Sequence, residues 1–226
     1  MYKRQILCNE ESLFKTISNL KKGNFSIDPN TCSIFEKQII ISRFKVTNQH
    51  DPIYDLKSVK NKTEINNSFK AHLEDGLALT KFLYWFKKNK IKITEKEIET
   101  KLERYRKKSK NYLYPSFDTI VGSGPNGAII HYKSNKLTNR KIKNNDIVLI
   151  DSGGQYKWGT TDVTRTICVG KVSNSIKDNF TRVLKGHISV ATSDLKKRFN
   201  GSLIDKLARK PLKEVGLNYS HGTGHG

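Results

Sequence analysis

Two apolar, β-branched segments, DIVLIDSGGQY (146–156) and TTDVTRTICVG (160–170), are joined through Lys157, Trp158 and Gly159 alone. A connection this short makes the two strands a hairpin, and a hairpin makes the sheet antiparallel where they lie. Alternation along the first strand puts Asp151 on a definite face, while Asp162 stands between Thr161 and Val163 on the second. Closure around Trp158 and Gly159 brings the two aspartates close to facing each other. Directly opposed carboxylates repel, so such a pair needs a cation or a shared proton, unless a stagger sends them to opposite faces. Service in turns is the other ordinary use of single aspartates at strand ends.

The segments around the hairpin read mainly as helices. From Thr63 to Lys90, Ile65, Phe69, Ala71, Leu73, Leu77, Leu79, Phe82, Leu83 and Trp85 recur at three- and four-residue spacing, the pattern of a long amphipathic helix. A second helix is expected from Thr94, which can form a capping box with Glu97, to about Lys108. FDTIVGSGPNGAIIHY (117–132) reads as two short strands around a loop. Two further helices are expected over about 175–196 and 201–215, the latter stopped by Gly216. Ahead of all these, EESLFKTISNLKKG looks helical, and FSID and KQIIISRFKV look like strands. NQHDPIYDLKSVKNKTEI then reads as a linker, with a turn at Asp51-Pro52 and Asn61 or Thr63 as a helix cap. The expected division is an αβ fragment over 1–51 and a main α+β domain over 52–226.

The net charge of +21 and a pI near 9.8 invite a nucleic-acid reading. Lysines far outnumber arginines, however, and are spread evenly among asparagines and isoleucines, which is a drift of the whole composition rather than a patch. Even the densest run, KLERYRKKSK (101–110), lies on an expected helix as a solvated face. Nucleic acid is therefore not the expected partner. Cys8, Cys32 and Cys168 stand far apart without metal-knuckle or disulfide spacing, which suits a reducing compartment. The start MYKRQILCNEESLF lacks the apolar run of a secretory signal, and no segment approaches the roughly 20 apolar residues of a spanning helix. A cytoplasmic protein with no membrane partner is expected.

Histidines supply the other candidate chemistry. His221 and His225 in HGTGH share the i, i+4 spacing of helical zinc ligands, but the two intervening glycines argue for extended or loop backbone. Such a segment offers imidazole nitrogens with little steric cover, suited to a metal or a substrate, though a polar tail has the same composition. His131, in AIIHY, is by itself an ordinary strand histidine. GSGPNG lacks the order of a nucleotide-binding loop, and neither a G-x-S-x-G elbow nor a cysteine with a nearby histidine in sequence is present.

Taken in order, FDTIVGSGPNGAIIHY, LIDSGGQYKWGTTDVTRT and YSHGTGHG closely resemble the Xaa-Pro aminopeptidases (aminopeptidase P) of the pita-bread metallopeptidase family. SFKAHLEDGLALTKFLYWF and VLKGHISVATSDL are similar to the helices between those motifs. The resemblance covers about 52–226 and implies a pita-bread (creatinase/aminopeptidase) fold, an antiparallel sheet covered by helices. The first 50 residues are similar to the end of the creatinase-type domain that precedes it. The resemblance implies a dinuclear centre of divalent ions, usually manganese. In it Asp151 chelates one ion, Asp162 bridges both and His225 is the histidine ligand, while His131 and His221 contact substrate or the tetrahedral intermediate. Two ions about 3.5 to 4 Å apart acidify a bridging water and polarise the scissile carbonyl. The substrates implied are peptides with proline in second position.

The same resemblance implies two glutamate ligands after the histidine motif, one of them also a general base, and one or two whole N-terminal domains. The sequence ends at Gly226. The expectation is thus an incomplete pita-bread domain truncated at both ends, with exposed sheet edges, weakened metal affinity and weak or absent peptidase activity. A separately encoded C-terminal fragment is among the partners this implies. A non-catalytic peptide- or protein-binding remnant is the competing reading from another class. Within the enzymes, prolidase, creatinase-like amidinohydrolase and methionine aminopeptidase share the scaffold.

Overall fold

The computed structural model describes residues 9–89, 92–194 and 200–225; Cys8, Lys90, Gly226 and the expected helical end near 196 lie outside them. The chain forms two compact units, Met1–Thr63 and Glu64–Gly226, which divide inside the segment expected as a linker. That segment holds a short helix where only a turn at Asp51-Pro52 was expected. Asp51 caps it by accepting the Ile53 N–H, and Pro52 takes the first position, where no N–H is needed.

In the first unit, β1 (Asn24–Ile27) and β2 (Lys45–Asn48) pair in parallel. They are accompanied by α1 (Leu13–Ser18), α2 (Ile34–Ile41) and α3 (Pro52–Ser58). Part of the stretch read as a strand, Lys37 to Ile41, is helix instead. Ser33 and Glu36 close a capping box that nucleates it, and Ile40 packs with Ile27 and Phe44, so the β-branched run is overridden by its cap and its packing.

In the second unit, α4 (Lys62–Asn89) and α5 (Glu95–Arg106) cover a sheet ordered β4 (Ile120–Ser123), β5 (Ile147–Ser152), β8 (Val163–Cys168), antiparallel throughout. The core joins Leu79, Phe82 and Phe86 of α4, Ile98 and Leu102 of α5, and Val121, Val148 and Ile150 of the strands. A second antiparallel sheet is ordered β3 (Tyr112–Pro115), β6 (Gly154–Tyr156), β7 (Gly159–Thr160). Helices α6 (Asn174–Ala191) and α7 (Gly201–Lys213) pack on each other. Among the described residues no helix is long and apolar enough to cross a membrane.

Three expectations are corrected here. Long helix α4 carries two apolar stripes. Ala71, Ala78, Leu79, Phe82 and Phe86 are buried, whereas Ile65, Phe69, Leu73 and Leu77, expected to share in the core, are exposed. Asp75 decides between the stripes, because it must reach Arg106 inside the protein. Residues 117–132 form one strand rather than two: Gly124 at φ +53° and Pro125 turn the chain into a 3-10 helix, Gly124–Ala128, after which Ile129 and Ile130 are exposed. Finally, the hairpin is not one pair of continuous strands. It keeps a single register from Ile147↔Cys168 to Tyr156↔Gly159, but passes from one sheet to the other at Gly153. A Cβ on Gly153 would lie 2.0 Å from the Thr161 carbonyl oxygen, so only glycine allows the crossing.

Helices and hairpin are tied together by a buried ion pair. Arg106 Nε donates to Asp75 Oδ1 at 2.7 Å and its Nη2 to Asp75 Oδ2 at 3.2 Å and Ser152 Oγ at 3.1 Å, while the Tyr156 hydroxyl donates to Asp75 Oδ1 at 2.9 Å. Replacing Asp75 by Asn leaves a buried guanidinium without its counter-charge. Urea titration should show a loss of roughly 3 to 5 kcal/mol, with Asp75→Asn combined with Arg106→Met losing less than the sum of the two single changes.

Candidate metal centre

Burial along β5 alternates: Val148, Ile150 and Ser152 face the helices, so Leu149 and Asp151 point to the opposite, more open face. Across the sheet Asp151 stands opposite Ile120 of β4 and Thr164 of β8. The Thr164 hydroxyl donates to Asp151 Oδ1 at 2.8 Å. Continuing the same register, Asp162 lies across from Gly153, two residues from Thr164 and on the same face. The two aspartates are thus diagonal neighbours rather than directly opposed, and a hydroxyl and a glycine occupy the positions facing them. This stagger relieves the direct repulsion without sending either carboxylate to the other face.

His225 arrives from the far end of the chain, its Nε2 3.3 Å from Asp162 Oδ2. The glycine-rich HGTGH segment is loop, as its composition suggests, and α7 holds it in place. Arg209 Nη1 donates to the Tyr219 carbonyl at 2.7 Å and to Asn218 Oδ1 at 2.8 Å, and Nη2 donates to the His221 carbonyl at 2.7 Å. Its Nε donates to Asp205, which also accepts from the Thr223 hydroxyl. Its guanidinium lies 3.9 Å above the Tyr219 ring, which in turn stacks on His221 at 4.7 Å. Neither Asp205 nor Arg209 is marked by a sequence motif; only their i, i+4 spacing on an expected helix hints at a pair.

His131 reaches the same place through strained backbone. It is not a strand residue: it sits at φ +52°, a conformation uncommon outside glycine. Its neighbour Tyr132 is buried and holds it there, with its hydroxyl 2.9 Å from Glu95 Oε2. The fully buried Glu95 carboxylate also accepts from the Ser123 N–H at 2.7 Å and the Arg140 N–H at 3.0 Å. This carboxylate at the start of α5, which the sequence presents only as a capping-box neighbour, organises the whole turn leading to His131.

Asp151, Asp162, His131 and His225 together line a cavity of about 510 Å³ walled by Phe117, Ile120 and Tyr132. His221 lines instead a neighbouring cavity of about 790 Å³ between α6, α7 and the histidine loop, which His225 shares. Carboxylate oxygens and imidazole nitrogen are the donors that divalent manganese, iron or zinc accept. Among the described residues, however, no three His, Cys, Asp or Glu side chains are gathered closely enough to hold an ion. The donor types fit a metal, and their common cavity fits one; Thr164 holds Asp151 through Oδ1 alone.

Residues 69–226 match the metallopeptidase family M24. A protein of Sordaria macrospora described as a probable Xaa-Pro aminopeptidase P is 40% identical over 216 residues, covering 94% of this chain and 35% of that protein. The chain therefore spans about a third of the length of this curated relative. The X-prolyl aminopeptidase of Caenorhabditis elegans, described as a cytosolic enzyme with a di-nuclear active site, superposes with a TM-score of 0.79 at 35% identity, over 88% of this chain and 33% of that one. The prolidase of Pyrococcus furiosus superposes with a TM-score of 0.75 at 25% identity, over 90% of this chain and 59% of that one.

Two outcomes follow for the histidine loop. Replacing Arg209 by Lys keeps the charge but loses the fork, and hydrogen exchange of amides 219–225 should quicken about tenfold, the factor one broken charged hydrogen bond carries. The Thr223 hydroxyl, then Arg209, hold the Asp205 carboxyl below its ordinary value of 3.8. That contribution is complete above 3.8 and disappears as pH falls through the lower folded value, so exchange in the loop should be insensitive to pH-induced release until the solution is more acidic than 3.8. In addition, a Cβ on Gly186 of α6 would lie 2.2 Å from the Ala208 carbonyl oxygen. Gly186→Ala should force α6 from α7 and lower stability by roughly 1 to 3 kcal/mol in a thermal melt.

Proposed function

Because the chain belongs to metallopeptidase family M24, we propose that it carries the Asp–Asp–His part of an Xaa-Pro aminopeptidase site, which releases an N-terminal residue joined to proline. The observation that carries this reading is the meeting of His225 with Asp162 in the cavity that Asp151 and His131 also line. The aminopeptidase is preferred to a prolidase because the 40% identical relative bears that name, while the Pyrococcus prolidase stands at 25%. Manganese is the metal we assign and the cytoplasm the compartment, the latter supported by the nematode enzyme described as cytosolic.

The chemistry that such ions supply when bound is polarisation of the scissile carbonyl and acidification of water. The chain's own residues prepare for it. Asp151 and Asp162 present oxygens from one sheet face, and Thr164 fixes the rotation of the first. His225 must be neutral at its free nitrogen to serve as a ligand, so uptake weakens as the imidazole protonates. His131, held in its left-handed turn, and His221, stacked on Tyr219, are the groups assigned to substrate and to the tetrahedral intermediate.

Manganese titration followed by electron paramagnetic resonance tests the assignment. Thr164→Val, which removes a partner of a ligand, should weaken uptake roughly ten- to hundredfold, and Asp162→Asn or His225→Ala more than that. Uptake indifferent to Asp162→Asn would overturn the assignment. Where hydrolysis is measured, a tripeptide with proline second should be cut and an Xaa-Pro dipeptide spared; the reverse would assign a prolidase.

A further inference from the structure

In a chain with a net charge of +21, the cavity that holds Asp151, Asp162, His131 and His225 is lined by a single lysine or arginine among the described residues, Lys133. Its Nζ lies 2.5 Å from Asp118 Oδ2, and Asp118 lines the same cavity. Both side chains are largely open to solvent, at 78% and 81% exposure, so the pair is no fold-stabilising bridge. Lys133 follows Tyr132, which the Glu95 network anchors, and stands two residues from His131. An ammonium has three donors, of which Asp118 occupies one, and two remain for a further acceptor.

We propose that Lys133 is a specificity residue that binds the carboxylate of a short peptide downstream of the scissile bond, with Asp118 aiming it. This rests on the peptidase reading above and narrows its substrate class to short peptides whose free C-terminal carboxylate comes within reach of His131. The acidic groups in the cavity explain why one cation is needed: Asp118, Asp151 and Asp162 would otherwise repel that carboxylate. Asp118 and Lys133 support each other's charged forms. Each is hydrogen-bonded to the other, which holds the Asp118 carboxyl below and the Lys133 ammonium above their ordinary values. The device is therefore charged throughout the neutral range.

The test is a nitrogen-15 NMR titration of the 226-residue chain at 0.15 M salt, an ionic strength at which the Debye length is about 8 Å, with Ala-Pro-Ala and with its C-terminal amide. The acid should bind about tenfold more tightly than the amide, the worth of one charge-assisted hydrogen bond. Lys133→Met should abolish that preference, Lys133→Arg should retain it, and Lys88→Met, a change on α4, should not alter it. Equal binding of acid and amide by the unaltered chain, or a preference that Lys88→Met reduces as much as Lys133→Met, would overturn the role of Lys133 alone. If neither peptide shifts the signals of His131 or His225, the peptidase reading falls and this proposal falls with it.

Discussion

The pairing of Arg106 with Asp75 is the constraint on which the second unit depends. A guanidinium with no exposed surface is tolerable only where a carboxylate meets it, and Asp75 does so with both oxygens. That requirement selects which of two apolar stripes on α4 faces inward. It also sets the hairpin, because Arg106 reaches Ser152 on β5 and Asp75 accepts from Tyr156 on β6. With Ser152 drawn toward the helices, alternation turns Asp151 to the open face. The orientation of a candidate ligand thus follows from an ion pair on the other side of the sheet.

The remaining site groups are held by charged side chains that satisfy several backbone groups at once. Glu95 gathers N–H donors from Ser123 and Arg140 together with the Tyr132 hydroxyl, and so pins a left-handed turn at His131. Arg209 gathers carbonyls from Tyr219 and His221 and so shapes a glycine-rich loop that has little conformational preference of its own. In both cases the ordering is done outside the cavity. The side chains inside it are left with capacity for a ligand: Asp151 has one hydroxyl partner, and His225 contacts Asp162 from an exposed position.

The arrangement is one of shared space rather than a finished coordination shell. The donors line one cavity, but no three are within reach of a single ion among the described residues. The register of the hairpin keeps the like charges of Asp151 and Asp162 diagonal to each other, with Thr164 facing Asp151. The placing of His225 depends on the loop that Arg209 shapes.

The hairpin, the α5 capping box and the loop character of HGTGH were all legible in the residues, because each rests on contacts a few positions apart. Ser33 and Glu36 could have been read in the same way and would have corrected the strand wrongly placed over Lys37 to Ile41. Spacing alone offered Asp151, Asp162 and His225 both as candidate ligands and as ordinary turn and tail residues, and the resemblance is what preferred the first reading. Long-range pairing lay beyond the sequence. Which α4 stripe is buried and how Glu95 comes to support His131 depend on partners 31 and 37 residues away, while the stagger of the aspartates and the hold of Asp205 and Arg209 on the histidine loop turn on contacts 10 to 18 residues apart. Sequence alone determined the local elements and the chemical types available. Tertiary structure alone decided which of those types meet, because buried charge must find its partner wherever in the chain that partner lies.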